Sequence, residues 1–217
     1  MDVRHQLLCF LVPGLVALSA LPLHVSFDVT PRSISGVTAA IALAYVAGHL
    51  LQALAAIPEK FLPSVERRAQ AAMPGYVVEA ARAKMALAVA TTPEKIDSTW
   101  LYRLCHAWVG RNVDPARRPG YRTYESLYRG LAAALLVLAL ALAARAIRGE
   151  THVTFGSMRF GVTAALAAPL ALALPVVAAV CFRTGRRFGG LRVRHAILTF
   201  ATAGKEEAIA EAAQVGA

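Results

Sequence analysis

Charge is excluded from three long stretches of this sequence, and that exclusion limits the fold more than any motif does. No Asp, Glu, Lys or Arg occurs from Gln6 to Phe27, from Ser33 to Pro58, or from Phe160 to Phe182. A helix rises about 1.5 Å per residue and the hydrocarbon core of a bilayer is about 30 Å thick, so about 20 apolar residues cross it. Each stretch is long enough. A fourth candidate, Leu127 to Ile147, has an uncharged centre of only 15 residues, Gly130 to Ala144. It spans if Arg129 and Arg145 extend their side chains to opposite interfaces. The expected fold class is therefore all-α and integral to a membrane, with four transmembrane helices in two hairpins. A composition of 57% hydrophobic and 17% charged residues agrees with that class.

Orientation follows from where the basic residues fall, because Lys and Arg near a span are retained on the cytoplasmic side. Eleven lie between Glu59 and Ser126 and six more follow Phe182, while the opposite side holds Arg32, Arg145, Arg148 and Arg159. Both termini are expected in the cytoplasm, with short outer loops at 24 to 33 and 148 to 158. The first run has the flank and the small-residue pattern (Ala17, Leu18, Ser19) of a secretory signal, but is read as a retained anchor held by Arg4. Four regions result: a first transmembrane hairpin over 1 to 57, a cytoplasmic helical segment over 58 to 126, a second hairpin over 127 to 182, and a basic cytoplasmic tail over 183 to 217 in which Arg192 to Gln214 is helix-compatible and partly amphipathic.

The segment over 58 to 126 carries its own start and stop signals. Pro63 and Ser64 can open a helix, Pro74 and Gly75 interrupt it, and Tyr76 to Val89 continues at helical periodicity. Thr91 followed by Glu94 predicts a capped helix from Thr92 to about Val109. GRNVDPARRPG reads as a loop, Tyr121 as the start of the helix that becomes the third span, and RTGRRFGGLRVR as a basic bend. Pro169 and Pro175 are expected to bend the fourth span.

Motifs for catalysis are missing. There is no His-Glu-x-x-His, no Gly-x-Ser-x-Gly, no phosphate-binding glycine loop and no acidic pair within the runs, so an enzyme is not expected. Cys9, Cys105 and Cys181 are too far apart in sequence to suggest a zinc or disulfide framework and are read as free thiols. The histidines lack metal-ligand spacing. Neither a metal nor any other cofactor is expected.

Two constellations remain. On the second span Ser35, Thr38, Ala42, Tyr45, His49 and Gln52 recur at spacings of three and four, sharing one helical face. Such a stripe can make interhelical hydrogen bonds, line a water-filled path between subunits, or hold a lipid or ligand. In the cytoplasmic segment, Trp100, Tyr102, Trp108, Tyr121, Tyr124 and Tyr128 alternate with Arg103, Arg111, Arg117, Arg118, Arg122 and Arg129. Aromatic faces and guanidinium groups together can bind an anionic ligand or partner, or form an interfacial belt against lipid head groups. Gly130 with Ala134 and Ala139 with Ala143 place small residues four apart on the third span, as close helix association in membranes requires. A homo-oligomer is the expectation that follows.

YVAGHLLQA, LYRLCHAWV, YRGLAAALL and the basic tail resemble uncharacterised small bacterial membrane proteins. Some of these are similar to membrane-disrupting effectors of antiviral defence systems. The resemblance implies a bacterial inner membrane location and a pore gated from the cytoplasm, and carries over no functional residue. The expected function is an oligomeric channel or pore controlled from its cytoplasmic side. The other reading is a non-enzymatic anchor that recruits a soluble partner.

Overall fold

The computed structural model describes residues 5, 7–20, 34–113, 120–148, 152–155, 158–161 and 164–203. The chain forms two compact units. The first comprises Met1–Phe61 with Thr123–Gly185, and the second Leu62–Arg122 with Arg186–Ala217.

In the first unit, a π-helical turn at Leu7–Leu11 leads into α1 (Val12–Leu18), and α2 (Ile34–Ala55) is followed by a 3-10 turn at Pro58–Phe61. The unit also holds almost all of α6 (Tyr121–Arg148), a hairpin of β1 (His152–Phe155) and β2 (Met158–Gly161), and the first half of α7 (Ala164–Thr202). Three helical stretches are long and apolar enough to cross a membrane: Val37–Phe61, Tyr121–Arg148 and Ala165–Thr202. The helix Leu7–Leu18 is apolar but shorter. At about 1.5 Å per residue it covers roughly 18 Å, and the rest of the expected first span, like the whole of the expected loop over 24 to 33, lies outside the described residues.

Glycine decides how α1 meets α2. A Cβ at Gly14 would lie 1.7 Å from the Ala44 carbonyl oxygen, and one at Gly48 would lie 1.9 Å from that of Phe10. Neither position admits a side chain. Apolar surface gains nothing by leaving lipid for protein, so helices in a bilayer associate by such close backbone approach and by hydrogen bonds. The buried side of α2 is Ala44, Gly48, Leu51 and Ala55, one position away from the polar stripe.

Three expectations are corrected here. The connection expected as a short outer loop over 148 to 158 contains strands of an antiparallel hairpin, with His152 opposite Gly161 and Phe155 opposite Met158, within a fold that is otherwise helical as expected. Its signal lies in the sequence: Val153, Thr154 and Phe155 on one arm and Phe160 on the other flank a Gly156-Ser157 pair, a dipeptide suited to a two-residue connection. Arg145 does not reach outward, being 1% exposed on the same side of α6 as the buried Gly130, Ala134 and Ala141. The basic bend is absent, since α7 stays helical from Ala164 to Thr202 and continues through Pro169 and Pro175. Each glycine in a helix interior costs about 1 kcal/mol relative to alanine, but Gly185 lets α7 approach the Glu125 carbonyl and the Arg129 side chain, each 3.2 Å from where its Cβ would be.

The second unit contains α3 (Val65–Ala71), α4 (Gly75–Ala88), a 3-10 turn at Pro93–Lys95, α5 (Ser98–Asn112) and the end of α7. Ser64 caps α3 by accepting from the Arg67 amide at 3.1 Å. Helix α5 begins later than the Thr91 and Glu94 pattern predicts, because Asp97 takes the cap and accepts from the Trp100 amide at 2.6 Å. Helix α4 ends with Ala90 at φ 49° while the Thr91 amide reaches the Ala86 carbonyl at 3.0 Å, the left-handed stop normally made by glycine. Met85, Ile96, Leu101, Cys105, Val193, Ile197 and Phe200 form a core of the kind found in aqueous domains, and Trp108 meets the Phe200 ring edge-on at 5.5 Å. The last turns of α7, expected as a tail, are one wall of this core.

Candidate functional site

The polar stripe of α2 is used against the first helix. The chain of causes begins at Pro13. Without an amide hydrogen, Pro13 cannot bond the carbonyl four residues back, which is Cys9, and its ring crowds that carbonyl. The helix is widened to π register over Leu7–Leu11 just before it. Gln52 supplies the donor: its Nε2 donates to the Cys9 carbonyl at 2.9 Å and to the Ser126 carbonyl of α6 at 2.6 Å. One amide thus joins three helices. Gly130 makes the approach possible, since a Cβ there would sit 2.7 Å from Gln52 Nε2 and 2.8 Å from Pro13 Cγ.

One turn earlier on α2, His49 stacks on Phe10 with ring centroids 3.9 Å apart, and Tyr45 meets both rings edge-on at 4.7 and 5.8 Å. Cys9 Sγ donates to the Thr123 carbonyl at 3.3 Å, and His5 Nδ1 lies 3.0 Å from Thr123 Oγ1, so the first helix is also tied to the start of α6. At that end Arg129 lies 3.2 Å from a Glu59 oxygen and 3.6 Å from a Glu125 oxygen. The arginine expected to extend toward an interface is held by two carboxylates. Of the other stripe residues, Thr38 and Ala42 are exposed, as is the free edge of His49, and the side chain of Ser35 lies outside what is described.

The arginine set expected to bind an anion or partner is only partly brought together. Arg103 and Arg111 both lie exposed on the outer side of α5 with Trp100, His106 and Gly110. His106 stacks on Tyr102 at 5.4 Å, and the Arg192 guanidinium sits over the other ring in that stack, 5.5 Å from the Tyr102 centroid. Arg122 is exposed on the first turn of α6, and Arg117 and Arg118 lie outside the described residues. Tyr102 and Trp108 are core residues, which removes them from the aromatic group available to a ligand.

Lys84 was not anticipated as special. Its Nζ is buried and donates to the Phe200 carbonyl at 2.9 Å and the Ala203 carbonyl at 2.7 Å, closing the C-terminus of α7, where carbonyls lack helical donors and a cation is favoured. The ammonium lies 4.9 Å from the Phe200 ring centroid. Desolvation lowers its pKa, opposed by the neighbouring Cys105, and burial pushes the Cys105 thiol up to about 12. Lys84 sits mid-helix among alanines, where sequence shows no difference between a solvated and a buried lysine. Among the described residues no group of three His, Cys, Asp or Glu could hold a metal ion, and all three cysteines are free. No family model, no curated protein and no solved structure matches this chain.

Proposed function

We propose that the protein is a membrane-anchored docking module, with the second unit in the cytoplasm as its working part and the first unit as a four-helix anchor. The observation that carries this reading is the use of Gln52, Tyr45 and His49: these polar side chains are engaged on the first helix, where they build an anchor. The second unit has a closed core of its own and turns Trp100, Arg103 and Arg111 outward, a surface suited to an acidic protein or another anionic ligand. On this reading both termini are cytoplasmic, residues 152 to 161 form an outer hairpin, and no reaction is catalysed.

An oligomeric channel gated from the cytoplasm, with the defence role its resemblance implies, is the second reading. The exposed Thr38, Ala42 and His49 edge of α2 supports it, because copies meeting along that edge would enclose a polar strip. One experiment separates the two. The protein in nanodiscs is tested for retention of a purified acidic partner and in liposomes for ion flux. Retention lost on Arg103→Glu with Arg111→Glu, and kept on His49→Leu, supports the docking module. Ion flux from the wild type that His49→Leu abolishes transfers the function to the pore.

A further inference from the structure

The second unit joins membrane-length helices at three points along the chain, and each has exposed arginine near it. Leu62 follows directly on the stretch Val37–Phe61, Arg122 stands on the first turn of α6, and Arg186 lies four residues beyond Phe182, where the charge-free run of α7 ends. Arg186 donates to the Pro63 carbonyl, which holds the first and third of these points side by side within the unit. Near that contact Arg67, Arg68 and Arg187 are exposed, and so is Leu62. From Arg183 to Arg194 there are five arginines and no acid, and from Leu62 to Arg68 two arginines stand against Glu66.

We propose that Arg67, Arg68 and Arg187 bind the phosphate groups of anionic lipid, so that this end of the second unit rests on the cytoplasmic surface of the bilayer. The proposal rests on the anchor half of the function given above and on nothing assigned to α5. Distance along the chain carries it. Arg187 is five residues past Phe182 in one continuous helix, about 8 Å, which is close to the Debye length at physiological salt. A charge at that range still feels a negative surface, and a guanidinium pairs phosphate with two parallel hydrogen bonds. The bond from Arg186 to Pro63 brings Arg67 and Arg68, in the first turns of α3, to the same end of the unit. Geometry favours a surface over a single small anion. Arg67 and Arg68 are successive residues, about 100° apart around their helix, so they splay instead of converging, and Arg186 is engaged on Pro63. Leu62 adds an apolar side chain of the kind that settles among head groups.

The test uses the full chain in nanodiscs, with a fluorescent dye on Leu62→Cys and with Cys181→Ser to leave only the fully buried native thiols Cys9 and Cys105. Quenching of the dye by brominated phosphatidylglycerol, compared with brominated phosphatidylcholine at the same fraction, reads which lipid gathers there. The anionic lipid should be preferred roughly fivefold at low salt. Arg67→Gln, Arg68→Gln and Arg187→Gln together should remove the preference, as should about 0.5 M salt, while the exposed Lys95→Gln leaves it intact. Equal quenching by the two lipids, or a preference that the triple variant keeps, overturns the proposal. Loss of the preference on adding inorganic phosphate at constant ionic strength also overturns it, because the occupant is then a free anion. A chain that does not enter nanodiscs overturns the anchor reading and this proposal together, whereas one that enters them without lipid preference overturns this proposal alone.

Discussion

The bond from Gln52 to the Cys9 carbonyl exists because Pro13 withholds an amide, so the two residues should be energetically coupled although they do not hydrogen-bond each other. Gln52→Leu removes donors from two carbonyls at once. Ser126 keeps its helical donor, the amide of Gly130 four residues on, whereas Cys9 has no such donor because residue 13 is proline. Hydrogen bonds between membrane helices average about 0.6 kcal/mol, so Gln52→Leu, which removes two of them, should destabilise the first unit by about 1 kcal/mol. Pro13→Ala returns the missing amide. In that background Gln52→Leu should cost about 0.6 kcal/mol less, the value of one such bond, a coupling that a double-mutant cycle measured by reversible unfolding in mixed micelles can resolve. Unfolding free energies that add to within about 0.3 kcal/mol would show that the Cys9 carbonyl has another partner and that the account of the π-helical turn is wrong.

Three further outcomes follow from other contacts. Gly48→Ala, which puts a methyl 1.9 Å from the Phe10 carbonyl oxygen, should separate α1 from α2 and destabilise by more than the roughly 1 to 3 kcal/mol of ordinary overpacking, read as earlier thermal unfolding than in an Ala47→Gly control. Ala90→Gly should stabilise the second unit by about 1 kcal/mol, because φ 49° strains alanine and not glycine; an unchanged or lower midpoint in denaturant would count against the strain. Cys105, whose folded pKa is raised from 9.0 to about 12, gives stability that is fully present below pH 9 and lost as pH climbs toward 12. Lys84, whose pKa is lowered, acts with the opposite sign below its unfolded value of 10.5, so the alkaline loss should be clearest above that value and should vanish in Cys105→Ala.

What the sequence made legible depends on how local its cause is. Of the four expected spans, those over Ser33 to Pro58, Leu127 to Ile147 and Phe160 to Phe182 correspond to membrane-length helices, because length and apolarity are properties of a stretch, and Ser64, Pro74 and Tyr121 mark helix starts because caps and breaks act within a turn or two. The path of α7 was not legible. Gly185, Gly189 and Gly190 among five arginines read as a bend, and only contact with Glu125 and Arg129 shows that Gly185 is there for close packing. The β-hairpin cuts across the expected boundary: its first arm lies in the loop over 148 to 158, and Phe160 and Gly161 of its second arm lie in the charge-free run that begins at Phe160.

The stripe on α2 shows why a face read from spacing underdetermines its use. Ser35, Thr38, Ala42, Tyr45, His49 and Gln52 share a side of the helix, and nothing in their spacing says what lies opposite. The partner is set by residues with no polar signature at all: Gly14 and Gly48 bring α1 against α2, Pro13 takes away an amide, and Gly130 clears a path for the Gln52 amide. The resulting division runs along the stripe. At the Gln52 end the Nε2 donor is drawn into holding helices together, and at the Thr38 end the side chains stay exposed. A pore built between copies would therefore have to use the Thr38 and Ala42 end, with the Phe10 stack on His49 as its fixed floor. Thr38→Leu should then abolish any flux while Gln52→Leu, acting through the fold, lowers stability first. Flux that survives Thr38→Leu unchanged would leave the stripe with packing as its whole role.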